Sequence, residues 1–262
     1  MEKISKSQVK LVKSLQIKKF RDQLGLFVAE GEKCVEELRK SFELEYLIVE
    51  DGLTAKRSYS DSGLTGEAGL TAKRSELEQM SGLRTPQGVI AVFKKRPMTN
   101  EALTGPTTND QRLTTNDLTL ALDGIQDPGN LGTIIRTCDW FGVHDIVCSL
   151  DTADCYNPKV VQATMGALAR VRIHYVDLPT WLKEQHRPII GTLLEGKDIY
   201  ENALPKEGII VMGNEGNGIS PAVRSLVTHP IRIPSYPKNA ETSESLNVSI
   251  ATAIVLAEFR RV

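Results

Sequence analysis

A glycine-rich segment near the end of the chain contains residues that could bind a flat or anionic ligand. It reads Met212-Gly213-Asn214-Glu215-Gly216-Asn217-Gly218 and follows an apolar run that predicts a buried strand. Because glycine has no side chain, backbone amides in such a loop can approach a ligand closely. The glycines lack the G-x-G-x-x-G spacing of dinucleotide-binding loops, and no P-loop lysine follows. The residues alone therefore predict a ligand loop and leave its chemistry open.

Two further polar segments also follow predicted strands. One extends from Asp123 to Arg136, and the other passes from Ile233 through a polar loop to Ser245-Leu246-Asn247-Val248-Ser249. Parallel sheets usually bind ligands outside the carboxyl ends of their strands. All three segments are therefore candidates for one ligand site.

The histidines and cysteines show no metal-binding pattern. None of the four histidines stands in a motif, and the four cysteines form no C-x-x-C pair. This spacing argues against a zinc site and against a disulfide framework, and it fits a reducing cytoplasm. The N-terminus also lacks the apolar stretch of a signal peptide. We therefore expect a cytoplasmic protein without a bound metal.

Length and composition predict two domains. A chain of 262 residues, 40% of them hydrophobic, can bury two ordinary cores, and its net charge of −1 gives no overall sign of a polyanionic partner. Residues 98–117 are rich in Thr, Asn, Asp, Gly and Pro, which predicts a linker. Residues 1–97 and 118–262 are then the two domains. A short repeat, residues 52–58 and 69–75, reads as a local duplication in a surface loop.

The second domain alternates apolar strands with helices. Its strand candidates, such as residues 118–122, are nearly continuous apolar runs, which predicts an α/β domain with a mostly parallel sheet. The last helix is predicted over residues 245–261, with Ser245 as a suitable N-cap. Asn247 would then lie one turn inside the helix, where it has less structural reason to be, so it is the stronger functional candidate.

The first residues of the chain carry a local positive charge. Residues 3–21 predict one basic amphipathic helix. In the first twenty-one residues Glu2 is the only acidic residue, against Lys3, Lys6, Lys10, Lys13, Lys18, Lys19 and Arg21. Such a cluster suits phosphate binding through counterion release. A solvated helix face without a partner is the alternative interpretation.

The three polar segments, in this order, resemble the SpoU, or TrmH-like, branch of the knotted SPOUT methyltransferases. The shared motifs are Asn130-x-Gly132-x-x-x-Arg136, Gly213-Asn214-Glu215-Gly216-x-Gly218 and Ser245-Leu246-Asn247-Val248-Ser249. Met165-Gly166-Ala167 also looks like the family, so the resemblance covers residues 118–261. Phe27-Val28-Ala29-Glu30-Gly31 and Thr85-Pro86-Gln87-Gly88-Val89 are similar to the family's substrate-recognition domain, which has a ribosomal-protein-like α/β fold.

The resemblance implies an RNA ribose 2′-O-methyltransferase whose second domain is tied in a deep trefoil knot. S-adenosylmethionine would be bordered by Thr192, Gly213, Ile233 and Leu246. Arg136 would be the catalytic arginine, and Asn130, Glu215, Ser245 and Asn247 would organise the acceptor pocket. Residues 1–97 would recognise RNA, through Lys10, Lys13, Lys18, Lys19 and Arg21. The family also implies a homodimer through the knot, and the extra N-terminal domain favours ribosomal over transfer RNA.

Several alternatives stay open at this stage. The chain could be an inactive RNA-binding or ribosome-assembly protein with the same fold, although Arg136 and the four acceptor-pocket residues together argue against this. A methyltransferase acting on a base or a protein is a second alternative, and the motif set favours ribose. Arg136 could act as a transient base or stabilise a developing alkoxide. Residues 235–244 form a longer loop than the family implies, which leaves its contacts open.

Overall fold

The computed structural model contains two separate β-sheets. It describes residues 1–53, 69–96, 118–201, 203–237, 243 and 245–261. One compact unit comprises Met1–Pro97 with Asp154–Arg170, and the other comprises Met98–Ala153 with Val171–Val262. The grouping of Asp154–Arg170 with the N-terminal residues was not expected from the sequence. The predicted linker and most of the first repeat copy lie outside the described residues.

The first unit contains a five-stranded mixed sheet. Its strands are β1 (Glu2–Lys3), β2 (Leu26–Glu30), β3 (Leu44–Glu50), β4 (Gly69–Ala72) and β5 (Val89–Lys94), in the order β1-β4-β3-β5-β2. β5 is antiparallel to both of its neighbours, and the other pairs are parallel. The helices of this unit are α1 (Lys6–Ser14), α2 (Lys18–Leu24), α3 (Glu32–Arg39), α4 (Arg74–Met80) and α6 (Pro158–Thr164).

The basic segment forms two helices, so the prediction of one helix over residues 3–21 is wrong. Lys3 lies in β1, and Ile17 separates α1 from α2 with an extended backbone of φ −102° and ψ 127°. The break buries Leu15 completely. It also leaves the Leu15 carbonyl oxygen available to Arg21, whose Nη1 donates a hydrogen bond to it at 2.8 Å. Periodicity did not predict this break, because it depends on partners elsewhere in the unit.

The second unit contains a six-stranded sheet in which every strand pair is parallel. The strands are β6 (Leu118–Asp123), β7 (Asp145–Ser149), β8 (Arg172–Val176), β9 (Ile189–Asp198), β10 (Gly208–Gly213) and β11 (His229–Arg232), in the order β11-β9-β10-β6-β7-β8. Its helices are α5 (Pro128–Trp140), α7 (Leu178–Lys183), α8 (Pro221–Arg224) and α9 (Val248–Phe259). The predicted α/β class with a parallel sheet is confirmed. β8 and α7 were not predicted.

A register shift interrupts the pairing of β9 with β11. Pro230 is opposite Gly191, but the next residue, Ile231, is opposite Lys197, so residues 192–196 leave the ladder. A Cβ atom on Gly196 would lie 2.3 Å from the backbone carbonyl carbon of Ile231, and therefore only glycine fits there. This excursion begins with Thr192.

Among the described helices, none is both long and apolar enough to cross a lipid bilayer.

Candidate active site

Two of the three polar segments begin side by side. β6 and β10 are neighbours, and their last residues, Asp123 and Gly213, are paired in register. The chain after β6 turns into α5, where the Asp127 side chain caps the helix by accepting a hydrogen bond from the Asn130 amide at 2.7 Å. The sheet thus places the start of the glycine loop next to the turn that leads to Asn130 and Arg136.

Three predicted site residues form a chain of side-chain hydrogen bonds. Asn130 Nδ2 donates to Glu215 Oε1 at 2.7 Å, and Asn247 Nδ2 donates to Asn130 Oδ1 at 2.9 Å. The hydrogen bonds of this chain are exposed to solvent. One residue from each polar segment therefore contributes to a single cluster at the carboxyl edge of the sheet.

Asn247 also has a structural role that was not predicted. The last helix begins at Val248 instead of Ser245, and Asn247 is its N-cap. Asn247 Oδ1 accepts hydrogen bonds from Ser249 N at 3.0 Å, Ser249 Oγ at 2.6 Å and Ile250 N at 3.3 Å. Because the oxygen is used for the cap, the amide nitrogen faces Asn130.

Two other predicted residues lie apart from this hydrogen-bonded cluster. Arg136 is exposed on α5, six residues beyond Asn130, or about 9 Å along the helix axis. Within the described ranges no acceptor contacts its guanidinium. Ser245 is exposed two residues before the cap, and among the described residues it makes no hydrogen bond. The predicted capping role of Ser245 is therefore wrong, because Asn247 occupies that position.

Three of the four residues predicted to border a cofactor stand where the neighbouring strands β9, β10 and β11 leave the sheet or end. Gly213 ends β10, and Thr192 stands where β9 leaves the sheet, with its Oγ1 donating to Val211 O at 3.2 Å. Ile233 follows β11, and Leu246 precedes the cap of α9. A Cβ atom on Gly213 would lie 2.3 Å from the backbone of Gly218, so this position requires glycine. The arrangement fits a ligand held through backbone groups at the carboxyl edge of the sheet.

Sequence reasoning assigned no role to two acidic residues, of which Asp127 caps the helix after β6 and Asp123 binds the segment after the glycine loop. Asp127 precedes Pro128, and an aspartate followed by proline is a recognisable signal for a helix start. Asp123, which is buried, accepts a hydrogen bond from Ser220 N at 2.7 Å through Oδ2.

In the described ranges, no group of three His, Cys, Asp or Glu side chains could hold a metal ion.

Comparison with known proteins identifies the family. Residues 117–257 match the SpoU rRNA Methylase family, and residues 6–91 match the MRM3-like substrate binding domain. The chain belongs to the SpoU methylase family. It is 30% identical over 265 residues to the 23S rRNA (guanosine(2553)-2'-O)-methyltransferase RlmP of Bacillus subtilis, an alignment that covers 99% of this chain and 98% of the relative.

Solved structures of similar proteins cover nearly the whole SpoU-family chain. A TrmH-family structure from Porphyromonas gingivalis aligns with a TM-score of 0.81 at 36% identity and covers 98% of both chains. An AdoMet-bound rRNA methyltransferase from Sinorhizobium meliloti aligns with a TM-score of 0.81 at 27% identity, over 99% of this chain and 96% of the other. The resemblance inferred from the three motifs is confirmed.

The predicted RNA-binding cations of this SpoU-family chain differ in exposure and in their acidic partners. Lys10, Lys13 and Lys19 are exposed, and no described residue offers them an acidic partner, whereas Lys18 pairs with Asp22 at 2.5 Å. Arg21 is only 1% exposed, and its Nη2 lies 2.7 Å from Asp154 Oδ2 within the first unit. The prediction that Arg21 contacts RNA is therefore wrong for this structure, because its guanidinium is already enclosed and paired.

Proposed function

We propose that this protein transfers the methyl group of S-adenosylmethionine to a ribose 2′-hydroxyl of ribosomal RNA. The proposal rests on the hydrogen-bonded cluster of Asn130, Glu215 and Asn247. This cluster joins the three family segments at the carboxyl edge of the sheet, where parallel sheets usually bind ligands. The relative RlmP is named for 2′-O-methylation of a guanosine in 23S rRNA. The Sinorhizobium meliloti enzyme is named as AdoMet-bound. An inactive RNA-binding protein would have no need for this cluster beside the residues that would bind the cofactor.

The residues of the protein would have separate tasks. Thr192, Gly213, Ile233 and Leu246 would hold the cofactor, which supplies a methyl group already activated on a sulfonium. Asn130 and Glu215 would orient the acceptor hydroxyl so that its oxygen faces that methyl group.

Arg136 would stabilise the negative charge that develops on the acceptor oxygen. A guanidinium stays protonated in proteins and has no hydrogen-bond acceptor, so charge stabilisation suits it better than proton removal. The hydroxyl proton would leave to water. Ser245 would join the pocket from the segment before the cap.

The proposal is tested by methyl transfer to separated RNAs. The protein is incubated with labelled S-adenosylmethionine and purified large-subunit rRNA, small-subunit rRNA or tRNA, and the methylated nucleotide is mapped. We expect label on a ribose of rRNA, detected as resistance of the adjacent bond to alkali. Arg136→Ala is the control and should lower transfer by about a hundredfold or more while cofactor binding persists. Label on tRNA or on a base would contradict the proposed substrate.

The same proposal assigns a separate function to each of the two domains predicted from the sequence. Residues 1–97 would recognise RNA, with Lys10, Lys13, Lys18 and Lys19 binding phosphates. Residues 118–262 would carry catalysis, joined to the first domain by the linker of residues 98–117. The four cysteines are buried and remain thiols, which suits the reducing cytoplasm in which such an enzyme would act.

We also infer a knotted second domain and a homodimer. The close approach of Gly196 to Ile231 supports a tight chain crossing near the cofactor edge. Exposed apolar side chains support a subunit interface. Leu246 and Ile250, which flank Asn247 in the chain, are 48% and 54% exposed, and Trp140, at the other end of α5 from Asn130, is 85% exposed. An interface there would bring a second subunit next to Asn247 and would help to complete the active site.

A further inference from the structure

Asn214, the residue before Glu215, hydrogen-bonds to the backbone of two different segments. Its Nδ2 donates to the carbonyl oxygen of Gly124 at 2.7 Å. Its Oδ1 accepts from the amides of Gly216 at 2.9 Å and Asn217 at 3.1 Å. One half of the amide group therefore closes the glycine loop, and the other half binds that loop to the turn after β6.

These bonds make the glycine loop a closed turn fastened at both ends. The amides of Asn214 and Gly218 each donate to the carbonyl oxygen of the other, at 2.9 Å in both cases. Beyond the turn, Ser220 N donates to the carboxylate of Asp123, the neighbour of Gly124. The position of Glu215 relative to the turn after β6 is therefore set on both sides of the loop.

The bond between Asn130 and Glu215 needs such support. It is exposed to solvent, and a typical hydrogen bond contributes only about 0.5 to 1.5 kcal/mol. By itself, the bond between Asn130 and Glu215 is therefore too weak to hold the glycine loop and the turn after β6 in one arrangement. The bond from Asn214 to Gly124 joins the same two loops from a half-buried side chain.

We propose that Asn214 is a positioning residue for methyl transfer, because it holds the glycine loop where Glu215 meets Asn130. This role rests on the proposed function. It does not require Asn214 to touch the cofactor or the RNA.

Two substitutions of the same chemistry separate this role from a general effect of charge. Asn214→Asp keeps an oxygen for the amides of Gly216 and Asn217, but it replaces the donor to Gly124 with a second oxygen that faces the carbonyl. Asn217→Asp adds the same charge three residues later in the loop. The Asn217 side chain is exposed and makes no hydrogen bond with the described residues, so this variant is the matched control.

The measurements are kcat for rRNA methylation, the Kd for S-adenosylmethionine and the melting temperature. We expect Asn214→Asp to lower kcat about tenfold more than Asn217→Asp, while the cofactor Kd stays within about twofold of the wild-type value. A general loss of structure would instead weaken cofactor binding along with kcat. Asn214→Ala removes the bond to Gly124, together with the oxygen that accepts from Gly216 and Asn217, and adds no charge. It should also lower kcat while the cofactor Kd stays within about twofold of the wild-type value.

Three results would overturn the role of Asn214. These are equal kcat values for the two aspartate variants, a wild-type kcat for Asn214→Ala, or a cofactor Kd that weakens in proportion to the fall in kcat. A wild-type protein that methylates no RNA would contradict the proposed function itself. An active wild type with active Asn214 variants would contradict only the positioning role.

Discussion

At the scale of single residues, Asn247 serves the fold and the site with opposite ends of one amide group. Its oxygen caps α9, and its nitrogen donates to Asn130. The cap determines which end faces the cluster. This makes the structural and functional contributions of Asn247 separable by substitution.

Aspartate at position 247 should remove only the functional contribution. Asn247→Asp keeps a good N-cap, so we expect a melting temperature within about 2 °C of the wild type. It replaces the donor to Asn130 with an oxygen, so kcat should fall about tenfold or more.

Asn247→Ala provides the comparison, because it loses the cap as well and should cost about 1 kcal/mol of stability. Thermal unfolding and methyl-transfer assays measure the two effects. Full activity of Asn247→Asp would show that the donor to Asn130 is dispensable.

Arg21 illustrates how a cation in a basic segment can be structural. Its guanidinium binds Asp154 and the carbonyl oxygen of Leu15 in the interior of the first unit. Removing one partner of a buried ion pair typically costs about 3 to 5 kcal/mol, because the other charge stays buried. We therefore expect Arg21→Met to lower the free energy of unfolding by about 3 kcal/mol.

Urea unfolding measures this change, with Lys19→Met as the control, because Lys19 is exposed on the same helix. Equal stabilities of the two variants would contradict the structural role of Arg21.

At the scale of elements, α1 and α2 present the exposed lysines. Lys10→Glu together with Lys13→Glu should weaken RNA binding and flatten the dependence of log Kd on log salt concentration, because fewer counterions are released. The slope should change by about one for each phosphate that the variant no longer neutralises.

Lys183→Glu with Lys206→Glu makes the same change of charge on exposed positions of the other unit. An equal fall in RNA affinity in both double variants would mean that net charge, and not this surface, determines binding.

The edge pair of β7 and β8 is stabilised by an acidic residue. Burial raises the pKa of Asp145, but hydrogen bonds from Arg172 and His174 outweigh burial and hold the pKa well below its usual value. The folded state therefore binds a proton at this carboxyl less readily than the unfolded state. Its contribution to stability is present above the unfolded pKa of about 3.9 and is lost as the pH falls below it.

Asp145→Asn should accordingly cost about 1 kcal/mol at neutral pH, since Arg172 is partly exposed and water weakens the pair. The difference in unfolding free energy between variant and wild type should shrink as the pH falls below about 4. Denaturant titrations at several pH values measure it. A difference that stays constant with pH would argue against the ionised carboxylate as the cause.

At the scale of the whole molecule, sequence reasoning succeeded where the pattern is local. Apolar runs such as residues 118–122 predicted the parallel sheet, and the order of the strand ends predicted the edge at which Asn130, Glu215 and Asn247 meet. It failed where a distant partner decides the outcome. Arg21 is buried because of Asp154, 133 residues later in the chain. Asn247 is the N-cap because α9 starts three residues later than expected. Residue types alone did not predict this later start, since both serine and asparagine are suitable N-caps.

The proposed homodimer is testable through its apolar face. Ile250→Glu places a charge among the exposed side chains beside the cluster, and we expect it to shift the protein to a monomer and to lower methyl transfer. Sedimentation at micromolar concentration measures the subunit state. Leu24→Glu makes the same kind of change on an exposed residue of the first unit and should leave the dimer intact. A wild-type monomer with full activity would exclude a role for the interface.

The strand order also constrains when the enzyme becomes competent during synthesis. β10 lies between β6 and β9, both of which leave the ribosome earlier, so a nascent chain that ends before Gly208 leaves the β6 edge of the sheet open and both edges of β9 unpaired. Such edges are templates for aggregation until the missing strand arrives. Asn247 emerges later still, and the proposed site for the methyl donor is therefore unfinished until that residue has been synthesised.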